Sequence, residues 1–448
     1  MASKADHPPS SNNDSLAQPQ RNFWQVLLAM LGTMLDYYDH TLYGLTAAVI
    51  ANTFFPHEDL SVRMIQTFGV YAMASFAKPF GGIFFGSLGD RFGRSLALKW
   101  SMLGICIPTL IIAFLPGYET WGVFAPLALI VCRISQGIFI AGEYDGARIY
   151  LYEHFGNRWP CFLNSLVSMS MIVGVYLASI ACALALSVTD NTWMWRVPFA
   201  LGGLVGLLIA PFRHYLPETK AYKSHVAKKT AYVSTLSVIK KNWPVILAII
   251  FITGGTGATQ HFTIIFLGNY ISKILEIMKQ PIAMQYTSSA LLMYMLAAPV
   301  AGWVADHWGV VRTVTLSSLV YLGLMVLSMF YISQHQYPKW LMVCTTAAQA
   351  FFVFPWSVLI MDVLDISYRY RCLAMGHSLG SMLFSGLTPM FCMYIWKQSG
   401  WAPSPFLYIV CMVALTQVGL KFLQSYQKGR LKEQATDLSP LEEVVEAQ

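Results

Sequence analysis

The chain has 448 residues, of which 56% are hydrophobic and only 11% charged, against roughly 25% charged residues in an ordinary soluble domain. Lys and Arg outnumber Asp and Glu by 29 to 22, and the resulting +7 suits the surface of an anionic bilayer leaflet. No basic, aromatic-interleaved soluble segment exists to hold nucleic acid. The eight cysteines (Cys106, Cys132, Cys161, Cys182, Cys344, Cys372, Cys392, Cys411) stand singly, without a C-x-x-C pair, so neither a disulfide framework nor a zinc site is expected. There is no P-loop or metal-spaced His/Glu cluster, which argues against an enzyme and leaves no metal or cofactor to expect.

Residues 1–22, with Pro8, Pro9, Ser10, Ser11, Asn12 and Asn13, are polar and lack the apolar core of a signal peptide, so they read as a disordered cytoplasmic tail. Apolar runs near the roughly 20 residues that span a bilayer then recur around 24–50, 65–85, 97–115, 122–151, 162–186, 196–212, 244–271, 285–304, 314–332, 340–363, 373–396 and 403–423. Barrel-type alternation is missing, so these spans satisfy their backbone groups as helices. Placing both termini in the cytoplasm puts most Lys and Arg inside, among them Arg91, Arg94, Arg158, Lys220, Lys223, Lys228, Lys229, Lys240, Lys241, Arg312, Arg369 and Arg371. The outside loops then hold only Arg63, Arg196, Lys273, Lys279, Lys339 and Lys397. The longest polar interruption, 213–242, is read as a cytoplasmic linker between an N-terminal bundle of six helices at 23–212 and a C-terminal one at 243–423, with a cytoplasmic tail at 424–448.

An internal repeat accompanies that division. Gly86-Ser87-Leu88-Gly89-Asp90-Arg91-Phe92-Gly93 follows the second helix, and Gly302-Trp303-Val304-Ala305-Asp306-His307-Trp308-Gly309 follows the eighth with the same spacing of its outer glycines and aspartate. Glycine permits a tight helix-to-helix turn, Asp90 is suited to a helix N-terminus, and Arg91 or Arg94 to carboxylates across a gate. The stretch Gly86 to Arg94 resembles the G-x-L-x-D-R-x-G-R loop of the major facilitator superfamily, which returns degraded after the eighth helix. The resemblance implies an all-α membrane protein of twelve transmembrane helices in two six-helix bundles, with Gly86, Asp90, Arg91, Gly93, Arg94 and Asp306 in the gating loops.

Within that superfamily, further stretches are similar to the metabolite:proton symporters, the branch of proline/betaine, 2-oxoglutarate, citrate, shikimate and dicarboxylate carriers. They are Gly32-Thr33-Met34-Leu35-Asp36-Tyr37-Tyr38-Asp39 in the first helix, Leu115 to Thr120 with Ala125-Pro126, Arg133-x-x-Gln136-Gly137-x-x-x-Ala141-Gly142-Glu143-Tyr144 in the fourth, and Trp193-x-Trp195-Arg196-Val197-Pro198-Phe199. The second half departs from the branch: its usual Leu-Phe-Pro-Thr reads Leu364-Asp365-Ile366-Ser367, and a frequent Tyr-Asn reads His377-Ser378. Asp145 and Arg148 also stand where the branch tends to place small residues.

A charge at the centre of a membrane helix costs at least about 2.5–3.5 kcal/mol, so each ionisable group in a span is a candidate for function. Asp36 and Asp39 lie midway along the first helix, with His40 and Tyr43 one turn on; either carboxylate is a candidate proton carrier, and Asp39, shared with the branch, is the better one. The other reading locks the carboxylate to Arg133 or a backbone amide. Arg133, Gln136, Ile140, Glu143 and Ala147 fall within a sector of about 80° of the fourth helix, a stripe that faces something other than lipid. Glu143 joins the proton candidates; Arg133, Gln136 and Tyr37 join the substrate candidates, although an interhelical strut is an equally simple role for Arg133 and Glu143. Lys78 replaces the arginine of the branch's second helix and keeps charge without a bidentate fork. The resemblance implies that Lys78 and Arg196 hold a substrate carboxylate; Arg196 alternatively marks the outer membrane boundary beside Trp193 and Trp195. Asp145 and Arg148 read as a local pair without functional weight. In the second half Gln260, with Thr259, His261 and Asn269, offers neutral hydrogen bonds to substrate, while His261 and His377 read as helix-packing histidines.

These residues imply a proton-coupled symporter of the bacterial inner membrane, working as a monomer by alternating access and importing a small organic acid or zwitterion. A proton-independent exchanger or facilitator remains the alternative, and a receptor built on a transporter fold is the more remote one.

Overall fold

A computed structural model describes residues 13–56, 60–155, 158–186, 193–227 and 234–446. Its long helices, numbered here by membrane span, are α1 (Asn13–Leu45, resumed as Ala47–Phe54), α2 (Leu60–Phe92), α3 (Arg94–Phe114), α4 (Phe124–Phe155), α5 (Pro160–Leu186), α6 (Arg196–Ile209, continued by a 3-10 turn Ala210–Tyr215), α7 (Thr235–His261 with π-helical turns Phe262–Phe266 and Tyr270–Ile274), α8 (Gln280–Trp308), α9 (Val310–Ser333), α10 (Lys339–Val353 and Trp356–Val363), α11 (Arg369–Gly380, a π turn Ser381–Ser385, and Thr388–Ser399) and α12 (Ser404–Glu446). Ten of these, α3 to α12, contain windows long and apolar enough to cross a membrane among the described residues. The first two complete the twelve and carry the polar groups that dilute their hydropathy, Asp36, Asp39 and His40 in α1 and Lys78 in α2.

Two boundaries differ from the sequence reading. Helix α1 begins at Asn13, inside the segment read as a disordered tail, and α12 runs on to Glu446 through the segment read as a cytoplasmic tail. Polar residues such as Glu, Lys and Gln are good helix formers, so an established helix continues beyond the bilayer without an apolar face. Residues 1–12 of the first tail, and 228–233 of the linker with Lys228 and Lys229, lie outside the described residues.

In the first half α1 packs on α5, α2 on α4, and α3 on α4 and α6; in the second α7 packs on α11 and α12, and α8 and α9 on α10. The halves meet along two seams, α2 against α11 and α5 against α8. The repeat seen in the sequence makes both. A Cβ on Gly86 would stand 2.6 Å from the Cα of Arg371, and one on Gly302 would stand 2.5 Å from the carbonyl oxygen of Cys161, so at each seam only glycine lets the backbones approach. The aspartates four residues on then cap the facing helix. Asp90 accepts the backbone N–H groups of Tyr370 (3.2 Å) and Arg371 (3.1 Å) at the start of α11, and Asp306 accepts those of Cys161 and Phe162 (both 2.9 Å) at the start of α5. A carboxylate there meets two orphan amides and the positive end of the helix dipole together. Gly93 (φ 110°) and Gly309 (φ 89°) close both motifs in a backbone conformation that side chains disfavour.

Replacing Asp306 with Ala removes both caps on α5, a loss of roughly 1–3 kcal/mol from that seam. Peptide-level mass spectrometry after maleimide treatment should then find buried Cys161 labelled several-fold faster; an unchanged rate would show that the seam does not depend on the cap.

Candidate functional site: a polar centre between the two bundles

The charged groups sort into those already paired and those left over. Asp39 belongs to the first set. It accepts hydrogen bonds from Thr109 Oγ1 and Gln136 Nε2, both at 2.7 Å, and Arg133 Nη1 lies 3.8 Å away while donating to Gln136 Oε1 at 2.8 Å. The Arg133 guanidinium covers the Tyr43 ring at 4.3 Å, and its Nε and Nη2 have no hydrogen-bond partner. Tyr71 hydroxyl, 2.6 Å from His40 Nε2, closes this network.

Glu143 is also paired, with a partner the sequence reading did not select. Arg213, placed in the linker by sequence, sits on the turn after α6, fully buried, and holds Glu143 through both terminal nitrogens, Nη1 at 2.7 Å and Nη2 as an ion pair. Ser101 donates to the same carboxylate at 2.6 Å, and Arg213 Nη1 also donates to the carbonyl of Leu98 at 2.6 Å. This is a buried strut joining α3, α4 and α6, in which both oxygens of Glu143 are engaged and Arg213 Nε is left without a partner. Arg196 is likewise engaged: it donates to the carbonyls of Ala113 (3.1 Å) and Leu115 (2.7 Å), capping the C-terminus of α3, with its guanidinium 4.6 Å from both the Trp193 and Trp195 rings. Two backbone bonds and two stacked rings thus hold it at the C-terminal end of α3.

At the end of the molecule that carries the basic loops, Arg94 is buried and donates to Glu153 from Nε (2.9 Å) and Nη2 (3.0 Å), to Gly89 O (2.8 Å) and to Ile366 O (2.7 Å). Glu153 also accepts from Arg369 at 3.1 Å, and Arg371 Nε reaches Asp90 at 3.0 Å. Arg369, Arg371 and Ile366 come from the second half, so this network shuts the α2/α11 seam. Beside it, the Arg91 side chain lies over Phe92 and its carbonyl accepts from Tyr222 hydroxyl at 2.7 Å. A cavity of 1360 Å³ opens nearby, lined by Phe23, Met30, Arg158, Trp159 and Trp303 among others, and none of the central polar residues reaches it.

The unpaired groups lie deeper. Asp36 is 1% exposed and neither of its carboxylate oxygens has a donor; the charges bearing on it are Glu143, Lys78, Asp39 and Arg133. Lys78 is half-buried and makes no ion pair among the described residues. Arg148 is 1% exposed, donates from Nη2 to Ser168 Oγ at 2.9 Å, and leaves Nε and Nη1 without partners. Its guanidinium lies 4.1 Å from the Tyr144 ring centroid and 5.2 Å from that of Trp356, which belongs to the other half. Pro355 interrupts α10, so Trp356 opens a new helical segment with its indole N–H unpaired. Tyr37 packs edge-on to Tyr144 at 5.8 Å, which brings this candidate to the same place. Gln260 is half-buried on α7, and neighbouring His261 lies within electrostatic reach of Lys78 and His40.

Asp145 and Arg148 do not pair with each other. Asp145 crosses to the second half, where His377 Nδ1 lies 2.9 and 2.8 Å from its two oxygens. Sequence reasoning missed this pair and the surroundings of Arg148, although the signal was present: these three positions are among those where the chain departs from the branch it resembles.

Comparison with known proteins fits this architecture. The family model described as sugar (and other) transporter matches residues 25–242 and 223–438. The chain belongs to this family of the major facilitator superfamily. It is 26% identical over 446 residues to the proline/betaine transporter of Salmonella typhimurium, covering 94% of this chain and 87% of that one. It is equally 26% identical, over 419 residues, to the alpha-ketoglutarate permease of Escherichia coli, covering 92% and 95%. Among solved structures, the proton:xylose symporter XylE bound to 6-bromo-6-deoxy-D-glucose superposes with a TM-score of 0.72 at 17% identity over 90% of this chain and 96% of that one. The fucose:proton symporter FucP of E. coli superposes with a TM-score of 0.67 at 14% identity over 90% and 98%. The protein is therefore a membrane-embedded transporter of a small molecule rather than an enzyme.

Removing one partner of a buried ion pair strands the other charge at a cost of about 3–5 kcal/mol. Glu143→Gln should therefore lower the unfolding midpoint in detergent sharply, and Glu143→Leu combined with Arg213→Met should recover much of the loss. Equal midpoints for wild type and Glu143→Gln would remove Glu143 from the structural set.

Proposed function

We propose that the protein is a proton-coupled symporter of a small carboxylate-bearing metabolite, an organic acid or a zwitterion, and that Arg148 holds the carboxylate. The observation that carries this is the buried guanidinium with two unpaired nitrogens between Tyr144 and Trp356. Arginine and indole N–H groups only donate, so the missing partner is an acceptor, and a carboxylate satisfies a guanidinium bidentately. The names of the relatives support the same chemistry: proline, betaine and alpha-ketoglutarate share a carboxylate and little else. Tyr37, Lys78 and Gln260 border the site as further substrate contacts, whereas the backbone bonds and ring stacking of Arg196 argue for a structural role.

Proton coupling is assigned to Asp39. Its donors Thr109 and Gln136 are neutral, and Arg133 stands at 3.8 Å with two spare nitrogens, so ionisation draws the guanidinium in and protonation releases it. Asp36, without donors, serves as counter-charge to Lys78 and as the second carboxylate open to protonation. The two bundles rock about this centre, with the Asp90, Arg94 and Asp306 contacts stabilising the state closed at the basic end. By the distribution of Lys and Arg that end is cytoplasmic, with both termini there, in a bacterial inner membrane and as a monomer.

Uptake of labelled proline, glycine betaine, 2-oxoglutarate, succinate and citrate into proteoliposomes, with and without an inside-alkaline gradient, tests the reading. One of them should accumulate with the gradient, Arg148→Gln should raise its apparent KM at least about tenfold, and Arg148→Lys should be intermediate. Asp39→Asn should lose gradient-driven accumulation while retaining counterflow exchange. Accumulation in Asp39→Asn equal to wild type would refute its proton role, and uptake indifferent to a protonophore would favour the exchanger or facilitator instead.

A further inference from the structure

Arg148 and His377 stand against the same two rings from different bundles. Arg148 lies 4.1 Å from the centroid of Tyr144 and 5.2 Å from that of Trp356; the imidazole of His377 lies 5.6 Å and 6.1 Å from them. Asp145, 2% exposed, brackets His377 Nδ1 with both carboxylate oxygens. An ionised carboxylate only accepts, so Nδ1 carries the hydrogen and Nε2 is the ring's other face. That nitrogen is absent from the buried, partnerless atoms, and the His377 side chain retains 23% exposure, so the ring is not sealed into the helix interface.

We propose that His377 is a specificity-determining substrate contact: Nε2 binds a second acidic group of the substrate together with one additional proton, while Asp145 is the positioning residue that fixes the ring. This rests on Arg148 holding the first carboxylate. With Nδ1–H committed to Asp145, a neutral ring offers only a lone pair at Nε2, which repels a carboxylate. Once a proton from solvent occupies Nε2, the ring donates to that carboxylate and remains paired with ionised Asp145. The incoming charge and the proton's charge cancel, so the two bind together and each strengthens the other. A substrate with a single carboxylate has nothing to give Nε2 and brings no such proton.

The surrounding charges permit this exchange. From α4 the ring meets Asp145 and Tyr144, the second of which also carries the Arg148 guanidinium, and from α10 it meets Trp356. Tyr37 on α1 touches the ring of Tyr144, and Lys78 on α2 bears electrostatically on Asp36. Tyr370, on the same helix as His377, is occupied with the carbonyl of Gly142. Arg148 is taken by the first carboxylate and Lys78 is offset by Asp36, so the proton that arrives on His377 is the charge that meets the second carboxylate of a diacid. Because Asp145 belongs to one bundle and His377 to the other, separation of the seam also removes the carboxylate that stabilises the protonated ring, which couples release of this proton to the conformational change.

The test uses purified full-length protein in detergent, titrated calorimetrically with succinate, 2-oxoglutarate, proline and glycine betaine at about pH 6 and about pH 8, on either side of the ordinary histidine range. Repeating each titration in buffers of different ionisation enthalpy counts the protons taken up. The diacids should bind at least about tenfold tighter at the lower pH and take up about one more proton than the zwitterions. His377→Gln and His377→Asn, both checked for native unfolding behaviour, should abolish that difference while leaving the zwitterions unchanged. Asp145→Asn should weaken diacid binding and retain part of its pH dependence. The inference is overturned if either folded His377 variant keeps the diacid pH dependence, or if wild type binds zwitterions and no diacid. Arg148→Gln separates the two readings: loss of all binding there, with unaltered selectivity in the His377 variants, removes this inference and leaves the proposed function standing, whereas undiminished binding in Arg148→Gln removes both.

Discussion

Carrying an ion from water into hydrocarbon costs several kcal/mol even after the bilayer and the protein relax around it. In this chain that cost divides the ionisable groups into two populations. Glu143 with Arg213, Asp39 with Thr109, Gln136 and Arg133, and Glu153 with Arg94 and Arg369 satisfy one another and bind helices together. Arg196 spends its charge on the carbonyl end of a helix. Left over near the meeting of the two bundles are Lys78, Asp36, two nitrogens of Arg148 and two of Arg133. Groups left unsatisfied in such a place are stable only if a cavity, a proton or a ligand completes them, and so the same energetic rule that builds the bundles also marks the site.

The two seams share a design and differ in charge. Each uses a glycine for close approach, an aspartate to cap the facing helix and a second glycine to turn the chain. At the α2/α11 seam Arg371 and Arg369 of the second half tie to Asp90 and Glu153, and Arg94 of the motif ties to Glu153; the α5/α8 repeat has Val310 in place of Arg94 and Phe162 in place of Arg371. Two neutral amide caps hold one seam, whereas caps and an ion-pair network hold the other. A rocking motion that opens this end has to break both, and the charged seam presents the larger barrier.

The centre divides its work between the bundles. Arg148, Tyr144, Tyr37 and Lys78 come from the first, while Trp356, His377 and Gln260 come from the second, so a ligand bridging them has contacts that depend on how the halves are placed. Interruptions in the helices lie beside these residues: the break at Pro355 precedes Trp356, and π-helical turns follow both His261 and His377. Such turns release backbone groups and redirect side chains, and they recur at functional positions.

The sequence alone determined the membrane class, the spans and the repeated glycine-aspartate-glycine motif, because these are encoded in length, hydropathy and local spacing. It also identified the stripe on α4 and the charged turn of α1. Local spacing says which face of a helix is polar and cannot say which helix that face will meet. Glu143 finds Arg213 across 70 residues and Asp145 finds His377 across 232, and in each case a nearer candidate was the natural partner on paper. Arg148 reads as half of a local pair until the fold turns Asp145 toward the other bundle and leaves the guanidinium between two rings. Tertiary packing decided which charges are struts and which are site, since satisfaction of a buried charge depends on the three-dimensional distance to a donor or acceptor and on nothing that a one-dimensional pattern contains.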